Sequence, residues 1–232
     1  MNNEIVVGFL DEHRQQCQHT SVSNRIKTKR SCDFCRHMNR DISLLMSNIH
    51  GARKTVDIGL ALSAIAETSS YQPYKNAGFE LLHQEGNNES ARIKNTFENM
   101  FLKGYETVII ISPSVPNLPV SYLESALSYL RKKENNLVLG PLKNGMFYLI
   151  GMKKKMYETV NRNDFFNKLN FYNSAMRDTT VNMIKDSCND CSILPEWYTL
   201  KSLNDLKKLH YDFLHGIGWK AQWTHNITNE LL

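Results

Sequence analysis

Three cationic side chains near the amino terminus, Lys27, Lys29 and Arg30, are placed to bind an anion. They follow an apolar, strand-like run and come just before a segment of helical period. Open α/β sheets bind ligands beyond the carboxyl ends of their strands, and a helix N-terminus there attracts negative charge. The segment therefore predicts a seat for a phosphate or pyrophosphate group; the alternative is a solvated run of charges.

A second polar segment, Ser112–Leu118, directly follows the apolar residues of another strand-like run. It carries Ser112, Ser114 and Asn117, and its two prolines favour a fixed loop. The hydroxyls of this loop could face a ligand at the same edge of the sheet, or the loop could be a structural turn.

Five cysteines, Cys17 and the two C-x-x-C pairs Cys32/Cys35 and Cys188/Cys191, offer a different chemistry. Two such pairs can supply the four thiolates of a structural zinc site. The pairs lie far apart in the chain, so the fold would have to bring them together. Buried thiols, a disulfide or a redox role are the alternatives, with Cys32 the best redox candidate because cations and a helix start stabilise a thiolate.

A general base is not evident from the sequence. Asp178 precedes a segment of helical period, and we favour a helix N-cap over a catalytic role for it. Glu196 could contact a ligand, but a surface carboxylate on an edge strand is the interpretation we favour.

Strand-like and helix-like segments alternate along the chain, which predicts an α/β fold with a mostly parallel sheet. The predicted strands are Glu4–Leu10, Thr55–Ala61, Phe79–His83, Thr107–Ser112, Leu137–Gly140, Met146–Ile150 and Ser192–Tyr198. The predicted helices begin near Cys32 and cover Ser90–Leu102, Tyr122–Lys132, Thr179–Asp186 and Ser202–Leu214.

Composition excludes several classes of protein. The 232 residues are 41% hydrophobic and carry a net charge of +5, which rules out a disordered or collagenous chain. The basic residues form no single long block, so we expect anionic small molecules rather than nucleic acid as partners. We find neither a secretory signal nor an apolar run long enough to span a membrane, and expect a cytoplasmic protein.

Four segments, Arg25–Arg30, Ser112–Leu118, Gly140–Gly151 and Leu194–Leu206, resemble in this order the motifs of a bacterial glycosyltransferase family. The family is labelled a domain of unknown function or an arsenosugar-biosynthesis glycosyltransferase. Its pattern reads K-T-R-L, G-T-D-x-P-x-L, G-P-x-x-D-G-G-Y-Y-L-I-G and L-P-x-x-x-D-V-D-T-x-x-D-L. The resemblance covers about Ile26 to Leu209, and Gly140–Gly151 is its most specific part.

The resemblance implies a single-domain, three-layer GT-A-like (nucleotide-diphospho-sugar transferase) fold over residues 1–215. It also implies a glycosyltransferase that binds a nucleotide-diphospho-sugar and transfers the sugar to an acceptor. The implied nucleotide- and phosphate-binding residues are Lys27, Lys29, Arg30, Ser112, Ser114, Asn117, Asn144, Gly145 and Lys201.

The four acidic positions of the family pattern are replaced here by Ser114, Asn144, Thr199 and Lys201. Carboxylates hold the divalent cations that neutralise a leaving diphosphate. The replacements leave three alternatives: a transferase with weak or no dependence on divalent metal, an enzyme with a relocated site, and a non-catalytic binding or scaffolding relative. A nucleotidyltransferase, which shares the fold, is a further candidate.

The aromatic segment 216–232 contains Trp219 and Trp223. We treat it as a C-terminal tail that either packs back on the domain or contacts a protein partner or a second subunit.

Overall fold

The structure is a computed structural model. It describes residues 2–10, 28–62, 71–132, 136–143, 145–162, 165–168, 191–230 and 232. The side chains of residues 28–32, 161–162 and 167–168 are not described. The strands are β1 (Glu4–Leu10), β2 (Val56–Leu62), β3 (Phe79–His83), β4 (Thr107–Ile111), β5 (Leu137–Pro141), β6 (Phe147–Lys153) and β7 (Cys191–Ile193). The helices are α1 (Thr28–Ala52), α2 (Gln72–Asn76), α3 (Glu89–Leu102), α4 (Val120–Lys132), α5 (Lys154–Arg162), α6 (Phe165–Lys168), α7 (Leu203–Leu214) and α8 (Gln222–Asn229).

The strands form one seven-stranded sheet in the order β3-β2-β1-β4-β6-β5-β7. Strand β6 runs antiparallel to β4 and β5, and the other pairings are parallel. The chain therefore has the α/β fold with a mostly parallel sheet that its pattern of alternating segments predicts.

Both faces of the central strands are buried, which explains their continuous apolar runs. In β4, Val108 and Ile110 pack with α3, α5 and α6 on one face, whereas Ile109 and Ile111 pack with α1, α4 and α7 on the other. These contacts make three layers, as the predicted three-layer sandwich requires.

The last predicted strand, Ser192–Tyr198, is too long. Only Cys191–Ile193 forms a strand, which pairs with β5. Pro195 has no N–H to donate to a neighbouring strand, so the chain cannot continue the pairing there. A single bridge resumes at Trp197, which pairs with Leu142. The first helix begins at Thr28 rather than near Cys32, and the predicted helix Thr179–Asp186 lies outside the described residues.

The C-terminal segment packs back on the domain. Ala221 and Ile227 belong to the same buried cluster as the residues of α1 and α4. The buried carboxylate of Asp41 in α1 accepts hydrogen bonds from the backbone N of Thr224 at 2.7 Å and of Trp223 at 3.3 Å. A side chain of α1 therefore caps α8.

No helix within the described ranges combines the length and the apolar character that crossing a membrane requires.

Candidate functional site

A cavity of about 170 Å³ opens at the carboxyl ends of β1 and β4. Phe9 of β1 and Ile110 of β4 form part of its wall. The order of the strands reverses between these neighbours, because β2 and β3 lie beyond β1 while β6, β5 and β7 lie beyond β4. Open α/β sheets bind ligands at such a reversal, so this cavity is the candidate site.

Polar groups line the cavity from several elements. They are Gln84, Glu89, Arg92, Ser112, Ser114 and Lys201. The structure thus brings Ser112, Ser114 and Lys201, which the sequence predicts as ligand-binding residues, into one cavity.

The two serines are held by the end of β4 and by its neighbour β6. Ser112 donates its backbone N–H to the carbonyl oxygen of Tyr148 at 2.9 Å. The hydroxyl oxygens of Ser112 and Ser114 lie 2.8 Å apart, and the backbone N–H of Ser114 donates to Ser112 Oγ at 3.3 Å. This tight turn presents two neighbouring hydroxyls to the cavity.

Lys201 lies on the segment between β7 and α7. Its side chain is exposed, and its Nζ lies 3.6 Å from the sulfur of Met146. Its backbone N–H donates to Asp205 Oδ2 at 3.0 Å. Ser202 and Asp205 also form the capping box that begins α7. The backbone of Lys201 is therefore fixed at a helix start.

A buried hydrogen-bond network supports the segments that carry Ser114 and Lys201. Asn117 Nδ2 donates to the Tyr198 hydroxyl at 2.6 Å, and that hydroxyl donates to Asp212 Oδ2 at 2.7 Å. Trp197 Nε1 donates to Asn117 Oδ1 at 3.2 Å. Burial raises the pKa of Tyr198, and the Asp212 carboxylate adds to the effect. The tyrosine therefore remains a protonated donor.

Asn117, predicted from the sequence to bind the ligand, is only 1% exposed and is not among the residues that line the cavity. Both ends of its amide are engaged with Trp197 and Tyr198. Asn117 therefore stabilises the loop and does not form part of the described cavity wall.

Tyr148 lies in the floor of the cavity and ties two segments together. Its hydroxyl donates to the carbonyl oxygen of Pro195 at 2.9 Å. Burial, with a smaller contribution from the nearby Tyr122, raises its pKa. Tyr148 is therefore a structural donor and not an acid or base at neutral pH.

Gln84, Glu89 and Arg92 line the cavity, although sequence reasoning missed them. A signal was present, because Gln84 directly follows β3 just as Ser112 directly follows β4. Glu89 and Arg92 lie in the first turns of α3, which begins at the N-cap Asn88. Only the order of the strands places α3 beside the loop after β4.

The described lining offers a divalent cation few ligands, with Glu89 as its one carboxylate. Two of the family's acidic positions line the cavity, and they are occupied here by Ser114 and Lys201. The ammonium group of Lys201 repels a metal ion. The hydroxyl of Thr199 is buried, and Asn144 lies outside the described residues. The described side chains contain no group of three potential His, Cys, Asp or Glu ligands.

The remaining predicted residues are placed as follows. Lys27 and Asp178 lie outside the described residues. Lys29 and Arg30 are in the first turn of α1, but their side chains are not described. Gly145 has φ +82° in the turn between β5 and β6, a conformation that glycine adopts readily. Glu196 is partly buried and does not belong to the cavity lining that is described.

The proposed zinc ligands remain a prediction. Cys188 and the side chain of Cys32 lie outside the described part of the chain. Cys35 is disulfide-bonded in this structure, and a disulfide sulfur cannot serve as a zinc thiolate, so the two interpretations exclude each other for that residue. Cys191 begins β7 and is partly buried.

Comparison with known proteins finds a matching family and solved structures that share this fold. The family described as "Uncharacterized protein conserved in bacteria (DUF2064)" matches residues 48–171, more than half of the chain. A "putative nucleotide-diphospho-sugar transferase" from Desulfovibrio desulfuricans G20 superimposes with a TM-score of 0.78 at 18% identity, covering 99% of this chain and 95% of that one. No curated protein matches the sequence.

Two further solved structures share the fold at lower similarity. A cytidylyltransferase from Leptospira borgpetersenii serovar Hardjo-bovis has a TM-score of 0.55 at 6% identity, over 100% of this chain and 94% of that one. A 4-diphosphocytidyl-2C-methyl-D-erythritol synthase has a TM-score of 0.51 at 8% identity, over 88% and 95%. The predicted GT-A-like fold is confirmed, and so is the family resemblance.

Proposed function

This chain belongs to the bacterial family DUF2064, and from that premise we propose that it is a glycosyltransferase that uses a nucleotide-diphospho-sugar donor. One observation carries the proposal. The cavity where the strand order reverses is lined by Ser112, Ser114 and Lys201, which stand in the segments that resemble the family motifs.

In the proposed reaction, an acceptor hydroxyl oxygen attacks the anomeric carbon of the donor sugar. The bond from that carbon to the diphosphate oxygen breaks, and its electron pair leaves with the nucleoside diphosphate. The developing negative charge needs a cation. We assign this role to Lys201, with Lys27, Lys29 and Arg30 as further contributors, and therefore expect weak or no dependence on divalent metal.

The serine hydroxyls are suited to hydrogen bonding with phosphate or sugar oxygens. Glu89 is a carboxylate in the described cavity lining, and we propose that it accepts the proton of the attacking acceptor hydroxyl.

Calorimetric titration with uridine, guanosine, cytidine and thymidine diphosphates and their sugars tests the proposal, each with Mn²⁺ and with EDTA. We expect one nucleotide to bind equally well in EDTA. Lys201→Ala should weaken binding about ten- to hundredfold, since hydrogen bonds to charged groups contribute about 1.5–3 kcal/mol. Lys207→Ala, at an exposed lysine in α7, is the matched control.

Turnover separates this proposal from its alternatives. Release of a nucleoside diphosphate together with sugar transfer supports the glycosyltransferase. Release of pyrophosphate from a nucleoside triphosphate and a sugar phosphate would instead indicate a nucleotidyltransferase. If no nucleotide or nucleotide sugar binds at millimolar concentration, the proposal fails and a non-catalytic binding or scaffolding protein replaces it.

A further inference from the structure

The guanidinium group of Arg92 lies in the cavity wall and has few hydrogen-bond partners among the described residues. Its NH1 group lies 3.4 Å from Gln84 Oε1, at the long end of hydrogen-bond distance. Its Nε is buried and, among the residues that the structure describes, has no hydrogen-bond partner. Within the described part of the chain, no carboxylate pairs with it.

Gln84 is held in one orientation beside Arg92. It is 5% exposed, and its Nε2 donates to the carbonyl oxygen of Ala61 at 2.7 Å and to that of Leu10 at 3.3 Å. Because these bonds occupy both N–H groups, the amide cannot flip without losing them. Its oxygen is therefore directed at Arg92 by the ends of β1 and β2.

A guanidinium with a buried, unbonded N–H is costly unless an anion accepts from it. The cavity wall around Arg92 supplies a second cation, Lys201, from a different element. Apolar side chains such as Ile93 and Phe147 form much of the remaining wall and reduce the competition from water. Glu89 is the one carboxylate of the described lining, so its two cations, Arg92 and Lys201, leave a net positive charge that fits an oxyanion.

We propose that Arg92, oriented by Gln84, binds a phosphate or carboxylate group of a ligand in the cavity. The inference rests on the proposed function only in placing that ligand at the ends of the strands. Two sources share this chemistry, the diphosphate of the donor and an acidic group on the acceptor. The planar fork of arginine matches the paired oxygens of either group.

Binding of inorganic phosphate and of the nucleoside diphosphates to Arg92→Gln, measured by calorimetric titration, tests the inference. We expect the affinity for inorganic phosphate to fall about ten- to hundredfold. Arg92→Lys keeps the charge but loses the fork, and should retain part of the affinity. Arg53→Gln, at a half-exposed arginine that pairs with Glu124 away from the cavity, is the matched control.

The two sources are separated by the nucleotide. A loss of nucleoside diphosphate affinity in Arg92→Gln identifies the donor diphosphate as the anion. Weaker phosphate binding with unchanged nucleoside diphosphate binding identifies an acidic acceptor. Thermal melts of each variant establish that it is folded.

The inference is overturned if the wild type binds no phosphate, or if Arg92→Gln binds both probes as Arg53→Gln does. Phosphate binding that depends on Arg92, in a protein that binds no nucleotide, would leave this inference standing while the proposed function fails. The two proposals can therefore fail separately.

Discussion

At the scale of single residues, two cavity positions differ in charge from the pattern of the family that the sequence resembles. Ser114 and Lys201 stand where the resembled family has acids, and both line the cavity. A serine hydroxyl is a weak ligand for a hard cation, and a lysine repels one. With these replacements, Glu89 is the one carboxylate in the described lining, beside the cations Arg92 and Lys201.

Restoring both acids should restore metal binding. We expect the double variant Ser114→Asp/Lys201→Asp to bind Mn²⁺ in a calorimetric titration, because two carboxylates then face the same cavity. Ser121→Asp/Lys207→Asp, which adds the same charges at exposed helix positions, should bind no Mn²⁺. Equal binding by the two double variants would contradict the assignment of these positions.

The buried His225 is a second residue whose charge matters. It is 4% exposed, its ring stacks on Phe213 at 3.7 Å, and its Nε2 lies 3.1 Å from His210 Nδ1. Its Nδ1 is buried and, among the described residues, has no partner. Burial lowers the pKa of His225, and the neighbouring His210 lowers it further.

Acid should therefore destabilise the fold through His225. Below about pH 6.5 an unfolded histidine takes up a proton that buried His225 resists, so the unfolded state binds more protons and the free energy of unfolding falls. Urea unfolding across this pH range should show a flatter profile for His225→Gln than for the wild type. His83→Gln, at an exposed histidine, should keep the wild-type slope.

At the scale of elements, β6 forms the floor of the cavity, and Gly140 of β5 lies against it. A side chain at Gly140 would overlap the ring of Tyr148, which is 1% exposed and has no room to move. Tyr148 in turn holds Pro195, upstream of Lys201. The glycine is needed for this close approach and not for an unusual backbone angle.

Gly140→Ala should lower the free energy of unfolding by about 1–3 kcal/mol, the usual cost of overpacking a buried site. Urea unfolding measures the change. Gly51→Ala is the control, because a side chain at that exposed position of α1 meets nothing within 4 Å and alanine favours a helix. A Gly140→Ala protein as stable as the wild type would contradict the predicted overlap.

At the scale of the whole molecule, Asp41 joins the two ends of the domain. Its carboxylate accepts from the backbone N–H and the hydroxyl of Thr224, each at 2.7 Å, across 183 residues of chain. Trp223 packs beside it, with the Arg40 guanidinium 3.5 Å from the ring centroid. The aromatic C-terminal segment is thereby held against α1.

Removing this cap should loosen α8. We expect Asp41→Ala to cost about 1.5–3 kcal/mol of stability, the range for hydrogen bonds to a charged group. Limited proteolysis should then cut within residues 217–230 first. Asp33→Ala breaks only the exposed pair with Arg36 and should change stability by less than about 1 kcal/mol. Equal stability of the two variants would remove Asp41 from this role.

Much of the fold was predictable because its signals are local. The run Thr107–Ile111 is apolar at every position after the first, and both faces of β4 are buried. Asn88 and Ser202 mark helix starts through side chains that act within one turn. The length of the strand Ser192–Tyr198 was overestimated, because pairing beyond Ile193 depends on the neighbouring strand and not on the β propensity of these residues.

The candidate site was predictable only in part. Ser112, Ser114 and Lys201 follow strands or precede a helix, and the family resemblance adds to that signal. Asn117 stands in the same loop, yet its side chain turns inward to Trp197 and Tyr198. Local spacing cannot distinguish these outcomes, because the inward partners lie about 80 residues further along the chain.

By itself, the sequence determined the alternation of strands and helices, the mostly parallel sheet and the substitution of four acidic motif positions, since these depend on consecutive residues. Tertiary structure alone decided that Gln84 and Arg92 meet Ser114 and Lys201 in one cavity. The order of the strands places β1 beside β4, and that order results from packing between residues far apart in the chain. No local pattern of residues carries this information.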